Sequence, residues 1–187
     1  MKQFLQLVFI FFCINVSTEE MIIGSERIDP GIKIVFEAAP KDTVFPEKFY
    51  LAESETDIHI EMLANWSEDN LVSVPSGGFV AYLKVKAIVS NEKGAIIETD
   101  LTPHLNLVDN LHYAQNIKLP GGIEDFYDVT FIIEPPDKES FGIHYDWYEK
   151  FGGLIQESSF TYKNLNFEQN ALKPVSYTHL RAHETVR

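Results

Sequence analysis

The stretch Asp57-Ile58-His59-Ile60-Glu61-Met62 decides how the rest of this chain is read. As a β-strand it alternates faces: Asp57, His59 and Glu61 point one way, and Ile58, Ile60 and Met62 point the other way, into a core. An imidazole and a carboxylate two residues apart on a stiff strand make two convergent metal-ligand arms. A half-exposed strand with a polar outer face has the same alternation, so the positions of the other histidines carry the decision.

Outward from that strand the chain is a series of short alternating runs cut by proline and glycine. Ile32, Ile34, Phe36 and Ala38 alternate with Lys33, Val35 and Glu37 and stop at Pro40. Before them, the polar, turn-rich Glu19 to Gly31 reads as an arm or loop, and Lys41 to Glu53 as a connection. Phe79 to Val89 is the most apolar segment and reads as a central buried strand. Asn91-Glu92-Lys93-Gly94 is a hairpin turn by its residues, and Ala95 to Leu101 returns as the partner strand. Asn116 to Leu119 reads as a short strand. Phe126 to Glu134 and Ser158 to Phe167 alternate again, with the irregular, aromatic Asp137 to Gly153 between them. Roughly seven strands with no helical period of any length predict an all-β fold, a single-domain immunoglobulin-like antiparallel β-sandwich.

The chain has 187 residues, enough for one domain with a real core, and its 45% apolar and 13% aromatic content is that of a folded protein. A formal charge of −13 argues against nucleic acid or an anionic membrane as partner and favours cations. Residues 1–18, with Lys2 ahead of an apolar run from Phe4 to Val16, read as a secretory signal peptide. Phe12 is too large for the position before a lipoprotein cysteine, so Cys13 is read as part of the leader and the protein as soluble and exported, with a lipid anchor at Cys13 the lesser alternative. The mature chain then has no cysteine, which removes disulfides, thiolate ligands and a thiol nucleophile together. Residues 175–187 resemble a translated sequencing adapter, so His179, His183 and Glu184 are set aside. The domain is residues 19–174.

Four histidines remain: His59, His104, His112 and His144. His104 and His112 flank the loop Leu105 to Leu111, and His144 lies on a later loop. Iron(II), copper and zinc all accept imidazole nitrogen, and carboxylate oxygen completes the shell of the harder ions. A lone loop histidine is most often simply solvated, and the spacing matches no tight zinc motif. Four histidines near strand ends, with Glu61, are a candidate metal site at one end of a sandwich.

Four blocks then carry a resemblance in order: Asp57-Ile58-His59-Ile60-Glu61, Tyr82-Leu83-Lys84-Val85, His112-Tyr113-Ala114-Gln115-Asn116-Ile117-Lys118-Leu119, and Phe141-Gly142-Ile143-His144-Tyr145-Asp146. Spread over most of residues 31 to 167, they resemble the bacterial periplasmic iron-transport proteins, also called the thirty-four-kilodalton membrane antigen family. The resemblance implies an immunoglobulin-like sandwich, a homodimer, and a copper or iron site near the subunit interface. Its His-x-Glu pair falls on His59 and Glu61, and its two later histidines fall on His112 and His144. The family's methionine ligand is replaced here by His104, with one extra residue before His112. Ala114 stands where the family has glycine, and Ile143 where it has arginine. Asp57, Asp109 and Asp146 are candidates for fixing an imidazole tautomer.

The leading expectation is therefore a periplasmic, non-enzymatic protein that captures iron(II), with copper at the same or a neighbouring site, and serves an inner-membrane iron permease. Zinc is expected to bind in vitro, and a redox step on the bound metal is compatible with this reading. A small exported metalloenzyme using the same ligands is one alternative, although neither His-Glu-x-x-His nor Gly-x-Ser-x-Gly occurs. A protein-contact module with incidental histidines, using Tyr145, Trp147 and Tyr148, is the other.

Overall fold

The computed structural model describes residues 20–173. The expected signal peptide and the adapter-like tail lie outside them. Eight strands dominate: β1 (Met21–Ile28), β2 (Ile32–Pro40), β3 (Ile58–Trp66), β4 (Lys84–Asn91), β5 (Ile96–Leu105), β6 (Leu111–Ile117), β7 (Phe126–Glu134) and β8 (Ser158–Asn166). Two short helices, α1 (Tyr145–Phe151) and α2 (Glu168–Leu172), follow β7 and β8. The strand order is β1-β2-β3-β6-β5-β4-β7-β8, and every neighbouring pair is antiparallel. The fold is all-β, as the alternation predicts.

β5 joins the two layers. Its first part, Ile96 to Leu101, pairs with β4, and its last part, Thr102 to Leu105, pairs with β6. The inner faces meet in one core: Ile34, Phe36, Ile60 and Met62 from one layer, Val85, Val129, Phe131 and Ile133 from the other. Phe36 on β2 and Phe131 on β7 stack across the interior with centroids 4.1 Å apart, an aromatic contact worth about 1 kcal/mol beyond its buried area. The Asn91–Gly94 turn forms as read, with Gly94 at φ +83° and its N–H donating to the Asn91 carbonyl.

Four local expectations are corrected. Residues 21–28 are a strand, not an arm; a register shift between Ile22 and Gly24 breaks the alternation that would have revealed it. The strand expected from Phe79 begins only at Lys84, because Tyr82 sits in the left-handed region at φ +67° and Phe79 makes a single bridge to Asn65. The strand expected at Asn116 to Leu119 is the end of a longer one starting at Leu111. β6 is buried on both faces and shows no polarity alternation to mark its start. The aromatic stretch after Pro136 contains helix α1, closed by Gly152 at φ +74°.

Candidate metal centre

The polar face of β3 turns away from the core and is nonetheless buried. His59 is 5% exposed, Glu61 2% and His112 1%. Register explains how they meet. Glu37 on β2, Glu61 on β3, Ala114 on β6 and Thr102 on β5 form one row across four strands. Asn116 is opposite His59 in the next row, and His104 is opposite His112 in β5 and β6. The small, fully buried Ala114 lies between these rows. The connection between β2 and β3 closes over it: Asn116 Nδ2 donates to the carbonyls of Asp42 (2.7 Å) and Leu51 (3.1 Å). The Tyr50 ring meets the His104 ring edge-on at 5.0 Å.

His59, His104 and His112 each offer a ring nitrogen within 4.8 Å of the others. Their ring centroids are separated by 5.2 Å (His59–His104), 6.0 Å (His104–His112) and 6.3 Å (His59–His112). Two tautomers follow from their hydrogen bonds. Because both Asn116 Nδ2 protons go to backbone carbonyls, its Oδ1 is the acceptor at 2.7 Å from His59 Nδ1. That nitrogen carries the proton and Nε2 carries the free lone pair. His112 Nδ1 donates to the Asn110 carbonyl at 3.1 Å, again leaving Nε2 free. His104 Nε2 lies 3.2 Å from the Thr102 hydroxyl, which can give or accept the proton. An amide and a carbonyl thus do the work expected of carboxylates. Asp57 instead accepts from the Leu119 N–H, and Asp146 from the Trp147 N–H.

Burial lowers the His59 pKa below the usual imidazole value and, with the neighbouring His59 and His112, lowers that of His104 to about 4. Both rings are neutral at pH 7 and ready to ligate. Glu61 Oε1 lies 3.7 Å from His59 Nε2, yet this is no ion pair: burial, then Glu20, Asp109 and Glu37, push Glu61 up to about 9, so both partners are uncharged at neutrality. Its other oxygen, Oε2, is buried with no hydrogen-bond partner. An orphaned polar atom of this kind costs about 1–3 kcal/mol, and a cation would satisfy it.

A second ligand group adjoins the first. Glu20, Glu61 and Asp109 offer carboxylate oxygens within 4.8 Å of one another. Glu20 directly precedes β1. Asp109 sits in the β5–β6 connection, where the Asn106 side chain accepts from its N–H (2.6 Å) and donates to its Oδ2 (2.7 Å). Glu20 was not singled out in the sequence, since an acid in a polar segment carries no pattern.

His144 does not join the cluster. It is the exposed residue capping α1 and lines an open groove with Trp66, Phe141 and Trp147. Trp66 ends β3, seven residues from His59, or about 23 Å along the strand.

A family model described as Fe2+ transport protein matches residues 17–169. A UPF0423 protein of Brucella abortus (strain 2308) is 26% identical over 132 residues, covering 68% of this chain and 71% of its own length. The 34 kDa membrane antigen of Treponema pallidum is 30% identical over 97 residues, 51% of this chain and 47% of the antigen. Among solved structures, copper-reconstituted P19 of Campylobacter jejuni superposes with a TM-score of 0.65 at 28% identity, covering 78% of this chain and 94% of P19.

Proposed function

The chain belongs to the Fe2+ transport protein family, and from that premise we propose that it is a periplasmic metal-binding protein that captures iron(II) and passes it to an inner-membrane permease. The single observation carrying this reading is the three buried imidazoles grouped beside a carboxylate whose Oε2 has no partner. We propose two adjoining positions that share Glu61. His59, His104 and His112, with Glu61 at their edge, suit copper, which favours imidazole nitrogen. Glu20, Glu61 and Asp109 suit a hard divalent ion such as iron(II), which favours carboxylate oxygen. The copper-bound relative supports the first position, and the family's description supports iron(II) as cargo. Transport membership favours binding and hand-over above catalysis.

His144 enters this reading only through a second copy. Its place at the far end of β3 keeps it from an ion bound beside His59 in the same chain, so a homodimer would have to bring His144 of the partner subunit to the copper position.

Elemental analysis of the full chain, exported and purified without a histidine tag, tests the reading alongside a His112→Ala variant. We expect bound copper in the parent and its loss in the variant, with copper(II) and iron(II) each raising the melting temperature of the parent. A metal held at a thousand times its dissociation constant contributes about 4 kcal/mol of stability. A parent that carries no metal and melts identically with and without copper(II) and iron(II) would overturn the proposal.

A further inference from the structure

Asn106, in the β5–β6 connection, divides two tasks between the two ends of its amide. Its Oδ1 accepts from the backbone N–H groups of Val108 (2.9 Å) and Asp109 (2.6 Å), the bonding by which an asparagine folds a turn. Two backbone donors require an oxygen there, so the network fixes the amide orientation and puts Nδ2 on the other side. Nδ2 donates to Asp109 Oδ2 at 2.7 Å. The turn is closed through Oδ1; the bond from Nδ2 acts on the Asp109 carboxylate.

That bond bears on how Asp109 meets an ion. A carboxylate ligates through one oxygen or through both. Calcium, which gathers about six to eight oxygens at longer distances, takes either form, whereas smaller divalent ions hold fewer oxygens in a near-octahedral shell. With Oδ2 committed to Asn106, Asp109 has Oδ1 to offer. The buried Glu61 carboxylate, whose Oε2 has no hydrogen-bond partner, is the independent sign that the acidic group receives a ligand.

We propose that Asn106 is a specificity-determining residue: it confines Asp109 to single-oxygen ligation and so biases the Glu20–Glu61–Asp109 position toward small ions such as iron(II) and manganese(II) against calcium. The inference rests on the acidic position proposed above. Because the turn depends on Oδ1 and the selectivity on Nδ2, a variant that keeps an oxygen and loses the amide nitrogen separates them. Asn106→Ser does this: its hydroxyl caps the turn, more weakly, and is too short to reach the Asp109 carboxylate.

Manganese(II) binding to the full exported chain, followed by the paramagnetic signal of the free ion and then by its displacement with calcium, gives both affinities. The ratio of manganese(II) to calcium affinity should fall about tenfold in Asn106→Ser, because Asp109 released at Oδ2 can close on calcium with both oxygens. Copper(II) affinity should not move, since the Asn110 carbonyl that accepts from His112 Nδ1 stays within a capped turn. In an Asp109→Ala background, Asn106→Ser should leave the ratio unchanged. A ratio unmoved in the single variant would overturn the inference, as would the same shift in the absence of Asp109. Equal losses of both ions, or a fall in copper(II) affinity, would mark Asn106 as a brace of the whole loop and overturn it too. A parent that binds no manganese(II) or iron(II) would overturn the acidic position itself, a separate result.

Discussion

Asn116 Oδ1 lies 2.7 Å from His59 Nδ1 and holds that ring in one tautomer, with its ligating Nε2 turned toward Glu61. The same amide anchors the β2–β3 connection through the carbonyls of Asp42 and Leu51. One side chain thus orients a ligand and seals the cover over it. Asn116→Leu should lower copper(II) affinity by 10–100-fold. It should also cost about 1 kcal/mol of stability, because two part-buried carbonyls of the connection lose their donor. Calorimetric titration and a melting curve of the metal-free variant check both. Unchanged copper affinity would mean the tautomer is set elsewhere.

Ala114 is fully buried, opposite Glu61 and between the histidine rows. A larger side chain there must take its room from Glu61 and the histidines on either side. Ala114→Leu should abolish copper(II) and manganese(II) binding together, with an overpacking cost of about 1–3 kcal/mol. Circular dichroism should still report a β-rich fold. Retention of either metal at parental affinity would show that the ion sits away from this floor.

Protonation gives the metal-free protein a stability profile whose sign can be worked out. Glu61 is raised to about 9 in the folded chain, so it stays protonated where the unfolded chain has ionised. Its contribution is complete below the ordinary carboxylate range and is lost as pH rises toward 9. His104, lowered to about 4, behaves oppositely: its contribution is complete above about 6.5 and is lost as pH falls through 4. The metal-free melting temperature should therefore fall between pH 6.5 and pH 9. Saturating manganese(II) should remove that fall by holding Glu61 ionised. Metal affinity should rise over the same range, since Glu20, raised to about 7, and Glu61 must both release protons. At the copper position, by contrast, burial favours the neutral form of His59 and His104, so protons compete less with copper(II) at these two rings than at exposed imidazoles.

His104 stands where the resemblance implies a methionine. A thioether is soft and favours copper(I), whereas imidazole serves copper(II), iron(II) and zinc without preferring the reduced ion. His104→Met should raise copper(I) affinity relative to copper(II), by about tenfold or more in the ratio. Competition titrations with a copper(I) chelator and a copper(II) chelator measure it. A ratio unmoved by the substitution would show that this position does not bind the ion.

Strand alternation made the sandwich legible, and with it the inward set from Ile58 to Met62 and the outward set of His59 and Glu61. The resemblance singled out His104 and His112 as well. Legibility failed wherever a tertiary event altered the period. β1 stayed hidden because the shift at Gly24 changes which face its residues take, and a side chain at Gly24 would collide with the Tyr162 ring. β6 was hidden by burial on both faces. Glu20 and Glu37 carried no signal, since a lone glutamate looks the same on a wet face and on a covered one.

The amino-acid sequence by itself determined which face of each regular strand carries imidazole and carboxylate, because side-chain direction follows from the two-residue repeat of an extended chain. Tertiary structure alone decided that His104 faces His112, that Glu37 faces Glu61, and that His144 stands at the opposite end of β3. Those relationships depend on strand register and on a connection folded back over the sheet, which join residues far apart in the chain and leave no local period to read.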